Sequence, residues 1–341
     1  MQSTGSTAPV TVSPQSLAAA FADVPDPRRA ASVRDPLAAI LTLAVSAILA
    51  NHRSVLAIAE WGARQSPEPL RTLGVDDGRT PCQSTVQRLF RHLDGAALAP
   101  TLTHCVTAPA AEAGPPGIAI DGKAQRGRLR FAGGPVHALR AFCHEQGIVL
   151  AHEPIIATTA KAEAELTVAP TLLDRLDWHG RVLTGDALFC QRARCQQVHD
   201  VGGDDLLLVT ENQPDLQEAI ALLFDPPPVL ARRPLDDLRI TRTIETGHGR
   251  RPEIRELQAS TDLTTYLEWP GLAQVFRIER TWRVHGQPKR ALPYGITSLS
   301  PAAGTPDRLM RLKRGHWAIE TRLHWRKDVT FGDATPARGR P

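Results

Sequence analysis

The sequence is poor in the residues that build specialised chains. Of 341 residues only two are Met, two are Tyr and five are Cys, and aromatics make up 5%. The cysteines (Cys82, Cys105, Cys143, Cys190, Cys195) are odd in number and scattered. That excludes a disulfide framework and predicts reduced thiols in a cytoplasmic protein. Met1–Pro14 is Ser/Thr-rich and lacks a basic stretch followed by an apolar one, so it does not read as a secretory signal. The longest apolar run, Pro36–Ala50, spans about 15 residues, short of the ~20 that cross a bilayer; it reads as a buried core helix, and no membrane partner is expected. A Gly-x-Ser-x-Gly elbow is missing, which removes that class of hydrolase. Gly117-x4-Gly122-Lys123 has the spacing of a phosphate-binding loop, but Ala124 stands where Ser or Thr is required and Ile118-Ala-Ile120 reads as strand, so no nucleotide cofactor is expected. Cys190, Cys195 and His199 lack a fourth zinc ligand at suitable spacing and read as structural.

What is present is a globular composition. Hydrophobic residues make up 42% and charged residues 22%, enough for a real core, and the length suits about two domains. The net charge of +4 is unevenly placed: Ser300–Pro341 holds nine Lys/Arg against four Asp/Glu, an excess of five, and the rest of the chain is close to neutral. A basic C-terminal stretch permits a nucleic-acid partner.

Residues 1–15 read as a disordered tail and 16–112 as an N-terminal helical domain. In that domain Ser16–Phe21 is helix-permissive, the apolar helix starts with Pro36 at its first position, Ser54 caps Val55–Arg64, and Ser84 caps Thr85–Leu93. Residues 55–94 fit either a helix-turn-helix or, more economically, a helical bundle. A Pro/Gly/Ala stretch to Pro116 links to the first part of an α/β core, 113–228. Its predicted order is a strand Gly117–Asp121, a hairpin (Val136–Cys143 and Ile148–Thr158), helix Leu166–Leu176, strand Arg181–Asp186, helix Gln191–Val201, strand Asp205–Thr210, and a helix from Asp215 to Phe224. A meander followed by alternating helices and strands implies a mixed sheet flanked by helices. Residues 229–300 read as a β-rich insertion. A final core helix, within 301–331, starts at the Thr305-Pro306-Asp307 cap signal and runs to about Lys327; 332–341 have no periodic pattern.

Two predicted strands end in carboxylates, Asp121 and Asp186. Carboxyl ends of strands are where α/β sheets gather functional groups, and paired metal ions held by carboxylates can clamp a phosphoryl transfer. Acids also end strands simply as turn residues or caps. Glu320 is a third candidate, surrounded by Lys313, Arg314, Arg322, Arg326 and Lys327, a setting that suits phosphates but also describes a solvated basic helix.

Taken together these segments resemble the H-repeat-associated insertion-sequence transposases, a DDE-type family, from about Phe21 to Gly332. The resemblance is carried by Asp26-Pro-Arg-Arg29, Leu37-Ala-Ala-Ile40, Ile58-Ala-Glu-Trp61, Ile118-Ala-Ile-Asp-Gly-Lys123 with Arg126-Gly127, Thr184-Gly-Asp-Ala187 with Gln191, Asn212-Gln-Pro214, His248-Gly-Arg250, and Arg314-Gly-His-Trp-x-Ile-Glu320 through Leu323-His-Trp325. It implies an α/β, RNase H-like core with Asp121, Asp186 and Glu320 as a catalytic, metal-binding triad for two Mg²⁺ or Mn²⁺ ions. It implies double-stranded DNA partners (terminal inverted repeats and target), a homodimer on DNA, and strand cleavage followed by strand transfer. Lys123, Arg126, Arg250, Arg314, His316, Arg322 and Lys327 are then the candidate DNA contacts, with Trp317 and Trp325 placed to stack on a frayed base. Departures from the family pattern are Thr210-Glu211 in place of a Lys, Lys161-Ala-Glu-Ala-Glu165 in place of a Lys-Ser-Asn-Glu-like motif, and the ending after Phe331, which reads as a truncated or frameshifted copy. The alternatives are a catalytically inactive DNA-binding remnant and a metal-dependent nuclease without strand transfer.

Overall fold

The computed structural model describes residues 14–30, 33–95, 97–98, 101, 116–131, 134–155, 161–228, 235, 237–245, 252–284 and 287–324. The chain divides into two units, up to Ala110 and from Ala111 onward. Residues 1–13 of the expected N-terminal tail, the C-terminal tail 332–341 and the segment carrying His248–Arg250 lie outside the described residues; Pro14 and Gln15, expected in the tail, begin the first helix.

The first unit is helical: α1 (Pro14–Phe21), α2 (Leu37–Leu49), α3 (Val55–Ala63), α4 (Pro67–Thr72) and α5 (Gln83–His92). α2 is apolar all round because it is buried on two sides. Ile40 and Leu41 meet Leu17, Phe21 and Leu89, while Leu43, Ala44 and Ala47 meet Ile58, Leu70 and Val75. The Ser54 hydroxyl caps α3 by accepting from the Ala57 N–H at 3.1 Å. Two sequence expectations shift. Pro36 is the cap of α2 rather than its first residue, and Cys82, not Ser84, caps α5. Residues 73–82 separate α4 from α5, whereas residues 64–66 alone join α3 to α4, and the helices pack together as a bundle.

The second unit is one mixed sheet with helices on both faces. Its elements are β1 (Gly117–Phe131), β2 (Gly134–Cys143), β3 (Val149–Ile155), α6 (Lys161–Asp174), β4 (Val182–Gly185), α7 (Arg192–His199), β5 (Asp204–Val209), α8 (Pro214–Phe224), β6 (Arg239–Glu245), β7 (Glu253–Ser260), β8 (Gln274–Val284), β9 (Gln287–Ala291), β10 (Tyr294–Thr297) and α9 (Pro306–His316). The order is β3-β2-β1-β4-β5-β10-β8-β7-β6, with β9 on β8. β4 is parallel to both β1 and β5, and the remaining pairings are antiparallel. The residues read as an insertion therefore extend the core sheet.

Strand pleating sorts the core. Ile118, Ile120, Leu183 and Leu207 join Leu172, Leu173, Val198 and Ile220 from α6, α7 and α8 on one face. Val182 and Leu206 join Leu309, Met310 and Leu312 of α9 on the other. α9 starts where expected, with the Thr305 hydroxyl accepting from the Arg308 N–H at 3.4 Å. It does not run on to Lys327. It stops at His316, and Ile319–His324 form a π-helical turn. β1 likewise does not stop at Asp121 but continues to Phe131, paired with β2.

Candidate active site

Asp121 and Asp186 meet because β1 and β4 run parallel in a definite register. Ala119 pairs with Thr184, so each aspartate lies two residues further along its strand direction and on the same face, the one α9 covers. Parallel neighbours are about 4.8 Å apart, which sets the two carboxylates side by side. Asp121 lies beyond the β1–β4 pairing although inside β1; Asp186 immediately follows β4 and caps the short 3₁₀ turn Ala187–Phe189.

Two histidines hold the pair. Buried His316, the last residue of α9, brings Nε2 to 3.2 Å from Asp186 Oδ1 and Nδ1 to 3.4 Å from Thr184 Oγ1. His324 Nδ1 is 3.3 Å from Asp121 Oδ2. Behind Thr184, buried His144 sets Nε2 at 2.9 Å from the same hydroxyl. A carboxylate at Asp186 only accepts, so His316 donates to it from Nε2. The Thr184 hydroxyl has one proton for two neighbours, the Ile118 carbonyl at 3.3 Å and His316 Nδ1, and accepts from neutral His144. Burial, together with the neighbouring His316 and Arg322, pushes His144 down to about 3, so it is neutral at pH 7. Gly315 makes this packing possible: a Cβ there would overlap the His144 ring.

A further carboxylate stands beside the pair. Glu165 of α6 is buried, and its carboxyl occupies the space where Gly122 has no Cβ. Burial pushes Asp121 up to about 6, reinforced by the like charges of Asp186 and Glu165 and opposed by His316. Asp121 and Asp186 on the α9 face offer hard oxygens of the kind that suit a divalent cation, while Glu165 approaches from the α6 side of β1, against Gly122. Glu320 is not gathered in with them: it is exposed in the π-helical turn, and among the described residues no three His, Cys, Asp or Glu side chains converge as a metal cage. Lys313 links the two regions. Burial lowers its pKa, while the nearby Asp186 and Glu320 act against that shift.

The expected DNA contacts fare differently. His316 is buried against Asp186 rather than presented to a phosphate. Arg322 donates to the His144 carbonyl at 3.3 Å, and Arg314 forms an ion pair with Glu245. Lys123 is half-buried, two residues beyond Asp121 on the same face of β1. Arg126 lies on β1, but its side chain, like Arg250, Trp325 and Lys327 altogether, is outside what is described. Trp317 is exposed and lies under the Lys313 ammonium, 5.5 Å from the ring centre, while Ile319 turns inward. His144 and Glu165 were not singled out from the sequence. For Glu165 a signal existed: it shares a helical face with buried Ala169, Leu172 and Leu173, a period that otherwise carries apolar residues.

Away from the site, Cys195 accepts a hydrogen bond from the Trp269 indole at 3.3 Å, His199 pairs with Asp205 at 3.0 Å, and burial pushes the Cys190 thiol up to about 12. Cys82, Cys143, Cys190 and Cys195 are free thiols. Among the described residues no helix is long and apolar enough to cross a membrane.

A mixed sheet ordered β3-β2-β1-β4-β5, with an aspartate two residues past each partner of the Ala119–Thr184 pair of its parallel strands β1 and β4, defines an α/β fold of the RNase H-like class. Residues 113–341 match the family described as "Transposase DDE domain", and residues 18–105 match the one described as "DDE_Tnp_1-associated". The chain belongs to the DDE transposase family of insertion sequences, among the H-repeat-associated members. It is 30% identical over 334 residues to "Putative transposase YncI" of Escherichia coli O157:H7, covering 94% of this chain and 81% of that one. It is 28% identical over 325 residues to "H repeat-associated putative transposase YhhI" of Escherichia coli K12, covering 91% and 81%.

Proposed function

We propose that the protein cuts DNA at the ends of its insertion sequence and joins the freed ends to target DNA, with Asp121, Asp186 and Glu320 binding two Mg²⁺ or Mn²⁺ ions. The observation that carries this reading is the β1–β4 register, which sets two carboxylates side by side on the face covered by α9. Family membership supports it. When bound, such ions would stabilise charge on the attacking and leaving oxygens of an in-line displacement. The chain's own residues orient the acids: His316 holds Asp186, and His324 holds Asp121. Lys313 offsets negative charge between Asp186 and Glu320. In the first reaction water replaces the 3′ oxygen at the element's end and releases a 3′-hydroxyl. In the second that hydroxyl forms the new P–O bond with target DNA, and the target's own 3′ oxygen leaves.

The DNA partners are the terminal inverted repeats and the target duplex. Lys123 and Arg126 along β1, Arg314 and Arg322 near the π-helical turn, and Arg250 and Lys327 are the proposed backbone contacts; a homodimer would hold two ends at once. The place of action is the cytoplasm, in keeping with the free thiols among the described cysteines.

The test is cleavage of end-labelled DNA carrying the element's flanking repeats, with Mg²⁺ or Mn²⁺. Asp186→Asn should abolish cleavage and retain DNA binding, and Mn²⁺ calorimetry should show lost metal affinity. Cleavage retained in Asp186→Asn would overturn the triad. Specific binding without cleavage by the parent chain would reduce it to a DNA-binding protein.

A further inference from the structure

The helical unit carries a cationic cavity that the transposition chemistry does not use. It has a volume of about 440 Å³ and lies along α5, from Cys82 to His92. Arg28, Arg34, Arg79 and Arg88 line it, from three separate segments of the chain, against the single carboxylate of Asp35. Two of these guanidiniums are held in place. Arg28 is clamped by Asp26 at 2.7 Å and donates to the Asp35 carbonyl at 2.9 Å; Arg88 donates to the Ser84 carbonyl at 3.3 Å. Arg34 and Arg79 are exposed, and among the described residues neither pairs with a carboxylate. At the cavity wall no side-chain cap closes the N-terminus of α5, and Thr85, whose hydroxyl is 3.4 Å from Cys82 Sγ, lines the same space.

We infer that this cavity binds the phosphodiester backbone of duplex DNA. Guanidinium groups match phosphate oxygens in charge and in paired donor geometry. Set against the carboxylates of Asp26 and Asp35, the four leave a surplus of two positive charges, which favours successive phosphates of a strand over a single small anion. Pre-set Arg28 and Arg88 lose little freedom on binding, and the exposed Arg34 and Arg79 supply charge at the mouth. The apolar side of α5, Val86 and Leu89, is buried in the bundle, so the cationic side is the one left for a partner. The inference rests on the reading that the chain acts on DNA, and it assigns part of that binding to the helical unit.

Cys82 provides a built-in probe. It is an exposed thiol lining the cavity, and hydrogen bonding from Ser84 and Thr85 lowers it to about 6, so it alkylates readily at neutral pH. The experiment uses the full chain with Cys105→Ser, a labelled 30-base-pair duplex, and a salt titration of binding. Loss of two phosphate contacts in Arg34→Ala/Arg79→Ala should flatten the salt slope by about two and weaken binding on the order of 30-fold at 0.15 M salt. Arg71→Ala, exposed on α4 and outside the cavity, should leave both unchanged. Duplex should slow iodoacetamide labelling of Cys82 in the parent chain but not in the double variant. An unchanged slope with no protection would overturn the inference and leave the proposed function standing. Protection by inorganic phosphate but not by duplex would overturn it in favour of a small-anion site. Failure of the parent chain to bind DNA would overturn both.

Discussion

Asp121 should destabilise the metal-free protein at neutral pH, and removing its charge should reveal how much. Its carboxyl is pushed up to about 6 from an ordinary 3.8, first by burial and then by Asp186 and Glu165. The folded chain therefore keeps a proton between roughly pH 4 and 6 that the unfolded chain has released, so stability falls as pH rises through that window and stays reduced above it. A displacement of that size sets a ceiling of about 3 kcal/mol. The side chain keeps 21% of its surface exposed, and with solvent screening about 2 kcal/mol is the working figure. Asp121→Asn removes this penalty. Its advantage over the parent should be near zero at pH 4, after subtracting any pH-independent packing change, and about 2 kcal/mol at pH 7.5, or about 4–8 °C in Tm for a unit of this size. Urea unfolding followed by tryptophan fluorescence reads it well, because five of the six tryptophans lie in the second unit. The difference between the two pH values is the decisive quantity, since packing effects of Asn cancel in it. An advantage equal at both pH values, or larger at pH 4, would refute the argument. Added Mg²⁺ should narrow the gap at pH 7.5 by stabilising only the parent.

Three further outcomes follow from the same geometry. His316→Ala should lower single-turnover cleavage at least tenfold with DNA affinity unchanged, and His316→Gln should recover part of it, because an amide can still donate to Asp186. Gly122→Ala should cost about 1–3 kcal/mol by overpacking, and much less in a Glu165→Ala background; urea denaturation of the double-mutant cycle measures the coupling, and additive losses would mean that the two residues do not touch. Thr305→Ala should cost about 1 kcal/mol through loss of the α9 cap, measured by the same unfolding curves.

The order of elements in the core was legible because burial imposes period. Ile118, Leu183 and Leu207 are fully buried, and their short apolar runs announce three strands. The continuation of β1 past Asp121 was not legible. Residues 123–130, Lys-Ala-Gln-Arg-Gly-Arg-Leu-Arg, have no sustained apolar alternation; Lys123–Gln125 and Arg130 pair with β2 across a register shift, and polar strands of that kind leave no pattern to read. The break after His316 was hidden for a related reason. Ile319 and His324 are both buried five residues apart, a spacing that suits a π-helical turn rather than an α-helix, yet the segment reads as helix on composition alone. Asp121 and Asp186 could be found as acids at strand ends. His144 could not, since in sequence it is one residue of a hairpin turn; its partner Thr184 lies 40 residues on, in β4.

The passage of α9 over the central strands explains how His316, 130 residues after Asp186 in sequence, comes back to it. The intervening strands are not an appendage. β10 joins β5, and β8, β7 and β6 carry the same sheet onward. The buried face of α9, Leu309, Met310 and Leu312, rests partly on Val182 and Leu206 of the central strands and partly on Leu257, Ala259, Phe276 and Ile278 of the added ones. Polar contacts fix it from the same side: the Thr241 hydroxyl donates to Asp307 near the start of α9, and Arg314 near its end pairs with Glu245. Both anchors sit on β6, the far edge of the sheet. The helix that delivers His316 to Asp186 is thus clamped by the inserted strands at both ends. The physical cost of a long connection is loop entropy, which grows only slowly with length; here it is offset by strand pairing and by burial of one helix face across old and added sheet alike. The position of the π-helical turn, and with it Glu320, is set by how well those added strands hold α9.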